Sequence, residues 1–207
     1  MKPWLFDILA CPIDKYFPLS LYIFSYETKE KVFEEILQIF QIKDLNALKS
    51  ENIIQISQED GNLLIQDNLV LQKCPLKDYL ELILKSVYEL ENVYDNSGSE
   101  TSKNLLINIK NKINKKIKNF LENSKTKDLD DILPELAIVN KFKFDIEIET
   151  GIIFCPKCKR WFPIIDTIPQ MLPDEYRDEK KEISFLKTNK NLLDKEFFQQ
   201  DLKPFTF

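Results

Sequence analysis

The chain has 207 residues, 43% hydrophobic and 30% charged, with a net charge of −5. That is the composition of a soluble folded protein of one ordinary domain or two small ones, and its acidic balance argues against a surface that coats nucleic acid. There is no histidine, and the only glycines are Gly61, Gly98 and Gly151, which excludes His-based acid–base chemistry, imidazole zinc ligands, and the glycine loops that cradle phosphates or dinucleotides.

No apolar run reaches the ~18 residues of a membrane helix. Trp4 to Ala10 is apolar but short, holds Asp7, and has only Lys2 before it, so it is no signal peptide. A cytoplasmic protein is expected. In chain order, Trp4, Leu5, Ile8 and Leu9 predict a short helix, Cys11 to Lys15 a turn, and Phe17 to Phe24 a strand with Pro18 near its start. Residues 27–41 predict a helix, with Thr28 as N-cap and Val32, Phe33, Ile36, Leu37 and Phe40 on its apolar face.

Asn52 to Ile56 and Asn62 to Ile65 read as a hairpin across Glu59-Asp60-Gly61, with Leu69 to Leu71 adding to it. Pro75 to Val93 predicts a helix through Tyr79, Leu80, Ile83, Leu84, Val87, Tyr88 and Leu90. Asp95 to Ser99 reads as a mobile loop, and Lys103 to Asn123 as a helix with a lysine-rich outer face. A less regular helix over 128–141 is interrupted by Pro134. Strict alternation from Phe142 to Glu149 predicts a half-buried strand, and Gly151 a turn. Ile152 to Phe154, the Cys155-Pro156-Lys157-Cys158 turn, and Arg160 to Ile165 then read strand, turn, strand. Residues 174–207 read as a charged tail with a helix over Glu179 to Lys187 and an aromatic end at Phe197, Phe198, Phe205 and Phe207.

Neither strand-bearing end is large enough to fold alone. The expected class is therefore α+β. A small zinc-ribbon-like antiparallel β-domain is built from residues 1–26 and 142–173, a mainly helical domain over 27–141 is inserted into it, and 174–207 trails as the tail.

A zinc ribbon joins two Cys-containing turns that together present four donors. Here the second turn holds Cys155 and Cys158, while the first holds Cys11 and, at its second ligand position, Asp14. Three arrangements stay open. Asp14 ligates zinc through a carboxylate oxygen, the turns fold without metal, or Cys74 supplies the fourth ligand. Lys159 stands where a tight zinc turn favours glycine. Trp161, Phe162, Ile164 and Ile165 place apolar residues on both faces of one strand, and Met171 and Leu172 follow closely. One face suits the core and the other a partner protein, with Pro163 keeping the strand at an edge where another sheet can add to it.

Met1-Lys2 with Trp4 to Pro12 and Phe17-Pro18-Leu19, together with Cys155 to Ile164 and Ile168 to Leu172, resemble the two ends of the multifunctional methyltransferase-activator subunit family of eukaryotes and archaea. The resemblance covers residues 1–26 and 128–173. It implies a non-catalytic subunit that needs no cofactor, zinc being present in some members and lacking in others. It also implies heterodimers with several alternative class I S-adenosylmethionine-dependent methyltransferases acting on tRNA, rRNA or translation release factors. RNA would then be met only through the partner. The implied partner-binding residues are Phe17, Arg160, Trp161, Phe162, Pro163, Ile164, Ile165, Met171 and Leu172, and the implied metal set is Cys11, Asp14, Cys155 and Cys158. Asp14, Lys159 and Thr167 depart from the family pattern. The alternative reading is a zinc-ribbon nucleic-acid-binding protein using the basic helix Lys103–Lys127.

Overall fold

The computed structural model describes residues 1–59, 61–122 and 128–206. In chain order it contains α1 (Pro3–Phe6), β1 (Ser20–Tyr26), α2 (Glu30–Ile42), α3 (Leu45–Ser50), β2 (Gln55–Glu59), β3 (Asn62–Gln66), β4 (Cys74–Pro75), α4 (Leu76–Glu89) and β5 (Val93–Asp95). There follow α5 (Glu100–Asn108), a π-helical stretch Ile109–Ile113, α6 (Asn114–Glu122), α7 (Leu133–Asp145), β6 (Ile148–Phe154), β7 (Trp161–Ile165), β8 (Ile168–Pro169), α8 (Glu179–Thr188) and α9 (Lys195–Phe198). The class is α+β. Two compact units divide the chain: Met1–Thr28, Asn92–Ser99 and Glu147–Phe207 form one, Lys29–Glu91 and Glu100–Ile146 the other.

The first unit is built on a five-stranded sheet in the order β5-β1-β6-β7-β8. β5 lies parallel to β1, and the remaining pairs are antiparallel. The expected insertion is therefore not continuous. The chain returns at Asn92, lays Val93, Tyr94 and Asp95 along Leu21, Tyr22 and Ile23, and leaves again after Ser99. The segment read as a mobile loop is anchored. Ser97 donates from N–H and hydroxyl to Asp95, Tyr26 donates to the other Asp95 oxygen, and Asn96 donates to Leu192 O.

Register divides the sheet's side chains between two faces. Leu21, Ile153 and Phe162 align across three strands on one face, with Ile23 and Ile164 on either side of Gly151. Gly151 is not in a turn but in β6, where an added Cβ would lie 2.5 Å from Tyr22 O. The two backbones approach so closely that no side chain fits. The opposite face carries Tyr22, Phe24, Ile152, Phe154 and Trp161.

That second face is covered by residues expected to trail as a tail. Leu186 of α8, Leu193, Phe197 of α9 and Leu202 are buried with Phe24, Ile152, Phe154 and Trp161. Phe197 stands edge-on to Tyr22 and tilted against Phe154. Residues 174–206 thus form a layer of this unit packed on one face of its sheet. Full burial of each such side chain is worth about 1.5–3 kcal/mol.

The second unit is mainly helical. α2, α4, α5, α6 and α7 bury Phe33, Ile83, Leu105, Ile117 and Leu136 among others. The expected hairpin is present as β2–β3, with Glu59 opposite Asn62. Its turn residue Asp60 lies outside the described residues. Cys74 and Pro75, not Leu69 to Leu71, extend it. Pro134 starts α7 instead of interrupting a helix, and α7 runs through the expected strand as far as Asp145. Leu133 to Asn140 are all buried. A helix buried on every side has no polar face to mark its period, so the alternation that begins at Phe142 could be mistaken for a strand. The true strand starts at Ile148.

Asp67 joins three parts of this unit. Its Oδ1 accepts from the N–H groups of Leu69 (2.8 Å) and Val70 (2.7 Å). Its Oδ2 accepts from the Tyr79 hydroxyl (2.5 Å) and Asn140 Nδ2 (2.7 Å). All these groups except Leu69 N lie in buried surroundings.

Candidate functional site

The two Cys-bearing turns have the same backbone construction. In the first, Lys15 N–H donates to Cys11 O (2.9 Å) and Cys11 N–H to Tyr16 O (3.0 Å). In the second, Lys159 N–H donates to Cys155 O (2.9 Å) and Cys155 N–H to Arg160 O (2.8 Å). Lys15 and Lys159 occupy equivalent left-handed positions, at φ 57° and 60°. Lysine therefore adopts the conformation for which glycine is favoured, at a cost of about 1–2 kcal/mol each. By this equivalence Asp14 stands in the first turn where Cys158 stands in the second.

The turns bring one ligand atom each from Cys11, Asp14, Cys155 and Cys158 within 4.8 Å of one another. Cys11 Sγ lies 3.6 Å from Cys158 Sγ, and Cys155 Sγ lies 3.7 and 3.9 Å from the two Asp14 oxygens. A tetrahedral zinc with Zn–S bonds near 2.3 Å needs donors about 3.8 Å apart. Three thiols and a carboxylate at these separations fit that ion in a closed, structural coordination set, which would cross-link the two turns. Of the two ligand sets left open by the sequence, the geometry brings together the one with Asp14. Cys74 is not part of it and lies in β4 of the second unit, paired with Ile65.

The protonation balance suits a cation. Burial pushes the Cys11 thiol up to about 12 and raises Cys155 as well. Burial acts on Cys158 in the same sense, but hydrogen bonds from Arg160 N–H, Cys155, the Arg160 side chain and Cys11 outweigh it and bring this thiol below its usual range. Partial burial also acts to raise Asp14. Hydrogen bonds from Cys11 and from Tyr16 N–H, with Lys157 nearby, prevail and hold the carboxyl low. Asp14 and Cys158 are thus the groups that give up a proton more easily, and Cys11 and Cys155 are thiols that a divalent cation would have to deprotonate.

The strand that follows is enclosed by its own chain. Trp161, Phe162 and Ile164 are each 0% exposed, so the apolar face expected to be open is covered. On the Trp161 face the cover is residues 174–206. Trp161 N–H donates to Lys203 O (3.2 Å) and Lys203 N–H to Lys159 O (2.9 Å), a parallel bridge on the outer edge of β7. The indole Nε1–H donates to Phe205 O (3.0 Å). Arg177 Nη2 donates to Trp161 O (2.7 Å), and its guanidinium lies over the rings of Trp161, Phe162 and Phe205. Arg177 also pairs with Glu182, while Arg160 grips Asp174 through Nε and Nη2. Farther along, β8 folds back on β7 over the two-residue turn Asp166–Thr167, both at positive φ, and Gln170 N–H donates to Pro163 O (2.8 Å). Thr167 thereby holds a position that glycine fills more readily.

Among the expected partner-binding residues, Phe17 (41%) and Leu172 (43%) are exposed, Arg160, Ile165 and Met171 are partly so, and Pro163 is buried with its neighbours. Arg177, Glu182, Asp174 and Lys203 were not foreseen. One signal was available: in a chain whose other basic residues are all lysine, Arg160 and Arg177 are the arginines, and a planar fork is the group suited to bidentate or stacked contacts. On the basic helix, Lys112, Lys115 and Lys118 are exposed, Lys116 pairs with buried Glu135, and Asn123, Lys125 and Lys127 lie outside the described residues.

The sequence profile described as Trm112p-like protein matches residues 2–166, both turns included. No curated protein and no solved structure matches the chain. The chain belongs to the Trm112p-like family, the methyltransferase-activator family that its two ends resemble.

Proposed function

We propose that this chain is a non-catalytic, cytoplasmic subunit that binds, stabilises and activates class I S-adenosylmethionine-dependent methyltransferases acting on tRNA, rRNA or a translation release factor. The partners are alternatives, each forming a heterodimer with the chain, and RNA is met through them. The observation that carries this reading is the family match across residues 2–166, with both turns of the donor cluster inside it. No helix among the described residues is long and apolar enough to cross a membrane, which agrees with a partner that works in solution. Zinc, where bound, fastens the zinc-ribbon-like turns and takes no part in methyl transfer.

Docking is assigned to the neighbourhood of β7 and β8, where Ile168 and Leu172 leave apolar surface exposed, and to Phe17, which is exposed ahead of β1. The test is co-expression with the class I methyltransferases of the same organism. The chain alone should transfer no methyl group and bind no S-adenosylmethionine, and the pair should co-purify and be active. Phe17→Glu with Leu172→Glu should abolish co-purification while the circular dichroism spectrum stays unchanged. Undiminished pairing would place the interface elsewhere.

A further inference from the structure

The outer edge of β7 is taken up by the chain itself. Lys159 O and Trp161 N–H are both satisfied by Lys203, Trp161 O by Arg177, and Pro163 O by Gln170, while Pro163 has no N–H to offer. A strand from another protein finds no free main-chain group along Lys159 to Pro163 while Lys203 is in place.

The contact at Lys203 has the form of strand addition, but it is one residue long. It is a parallel bridge, Arg160 to Lys203, where a docked strand would make a ladder. Leu202, at 4% exposure, enters the apolar cluster beside Trp161, and Phe205 O receives the indole N–H. The rest of the layer is held differently. α8 is fixed by the buried Arg177–Glu182 pair and by Leu186 at 0% exposure, and α9 by Phe197. The terminal stretch can therefore leave while α8 and α9 stay.

We propose that residues 201–206 are an exchangeable stand-in for a partner strand. In the free chain they occupy the outer edge of β7 at Lys159–Trp161. In the complex an extended segment of the methyltransferase takes their place, with an apolar side chain in the Leu202 position and a carbonyl at the indole. This rests on the reading of the chain as a methyltransferase subunit. The exchange replaces main-chain hydrogen bonds like for like, so a partner gains whatever it contributes beyond the single bridge. The stand-in keeps Trp161 covered in the interval, and it lowers apparent affinity by the fraction of chains whose edge is open.

The test uses the full chain and a double variant, Leu202→Asp with Phe205→Ser, which weakens the terminal stretch and leaves α8 intact. The probes are a synthetic peptide of the sequence Asp201–Phe207 and each purified class I methyltransferase of the same organism. The peptide should bind the variant more tightly than the unaltered chain. A methyltransferase that binds the chain should bind the variant roughly tenfold more tightly, the factor for an edge open in about one molecule in ten, and the peptide should compete with it. Hydrogen exchange at the Trp161 amide should quicken in the variant. Lys203→Pro, which removes the donor to Lys159 O together with the Lys203–Asp201 ion pair, should shift both readouts in the same direction and serves if the double variant does not fold. Equal or weaker methyltransferase binding by folded variants overturns the proposal and leaves the subunit reading intact. Failure of every methyltransferase to bind either form overturns the subunit reading, and the proposal with it.

Discussion

Replacing Arg177 by methionine should loosen the layer over β7 by an amount the structure allows to be worked out. The Arg177 side chain is 0% exposed and that of Glu182 8%. Arg177→Met strands the Glu182 carboxylate without its cation and Trp161 O without its donor. Removing one partner of a buried pair costs about 3–5 kcal/mol. Loss of the cation over its rings adds about 0.5–2 kcal/mol, part of which methionine recovers by packing on the same rings. About 4 kcal/mol is the net expectation. Arg177→Met with Glu182→Met removes both charges, so only the Trp161 O bond and the ring contact are lost, about 1–2 kcal/mol. The double variant should therefore be about 2–3 kcal/mol more stable than Arg177→Met alone. Urea unfolding followed by tryptophan fluorescence measures it, because Trp4 and Trp161 both lie in the first unit. A double variant as unstable as Arg177→Met alone would show that the Glu182 pair contributes nothing and leave stacking and the Trp161 carbonyl as the whole of Arg177's role.

Asp174, held below the usual carboxylate range by the Arg160 fork, contributes stability that is present above its unfolded value near pH ~4 and lost as pH falls through its lower folded value. Acid titration of tryptophan fluorescence should show that loss, and Asp174→Asn should remove it. Gly151→Ala forces a Cβ against Tyr22 O and should cost about 1–3 kcal/mol in thermal or urea unfolding. Asp67→Ala leaves the Tyr79 hydroxyl and Asn140 amide buried without their acceptor, and should lower stability by about 3 kcal/mol in far-ultraviolet circular dichroism melts. Adding Tyr79→Phe should recover part of that loss. Asp14→Cys enters a turn already shaped like that of Cys158, so zinc should survive higher chelator concentrations than in the unaltered chain, and Asp14→Ala should release it sooner. Metal analysis after chelator challenge decides the point, and equal retention by Asp14→Ala would remove Asp14 from the ligand set.

Much of the fold could be read from local pattern. The helical faces through Ile36, Ile83 and Ile117 matched burial because each helix has one wet side, and the β2–β3 hairpin followed from its glycine and flanking runs. The donor cluster was legible because ligand spacing within a turn is a local property. Three things were not. α7 is buried all round and so shows no period. Val93–Asp95 is too short to carry a strand pattern and is defined by its pairing with β1. The layer formed by 174–206 looked like a tail because its buried residues, Leu186, Leu193, Phe197 and Leu202, are spread thinly among charges and make sense only against the face of Phe154 and Trp161.

The split insertion has a consequence for the order of events during synthesis. β1 leaves the ribosome long before its antiparallel neighbour β6, and an unpaired strand is a hazard in a nascent chain. β5, parallel to β1, emerges between them and offers Leu21, Tyr22 and Ile23 an earlier partner. β7 then emerges ahead of Lys203. For the time it takes to translate the intervening residues, the edge at Lys159–Trp161 is open, and on the proposed reading a methyltransferase made nearby would pair there before the chain closes on itself.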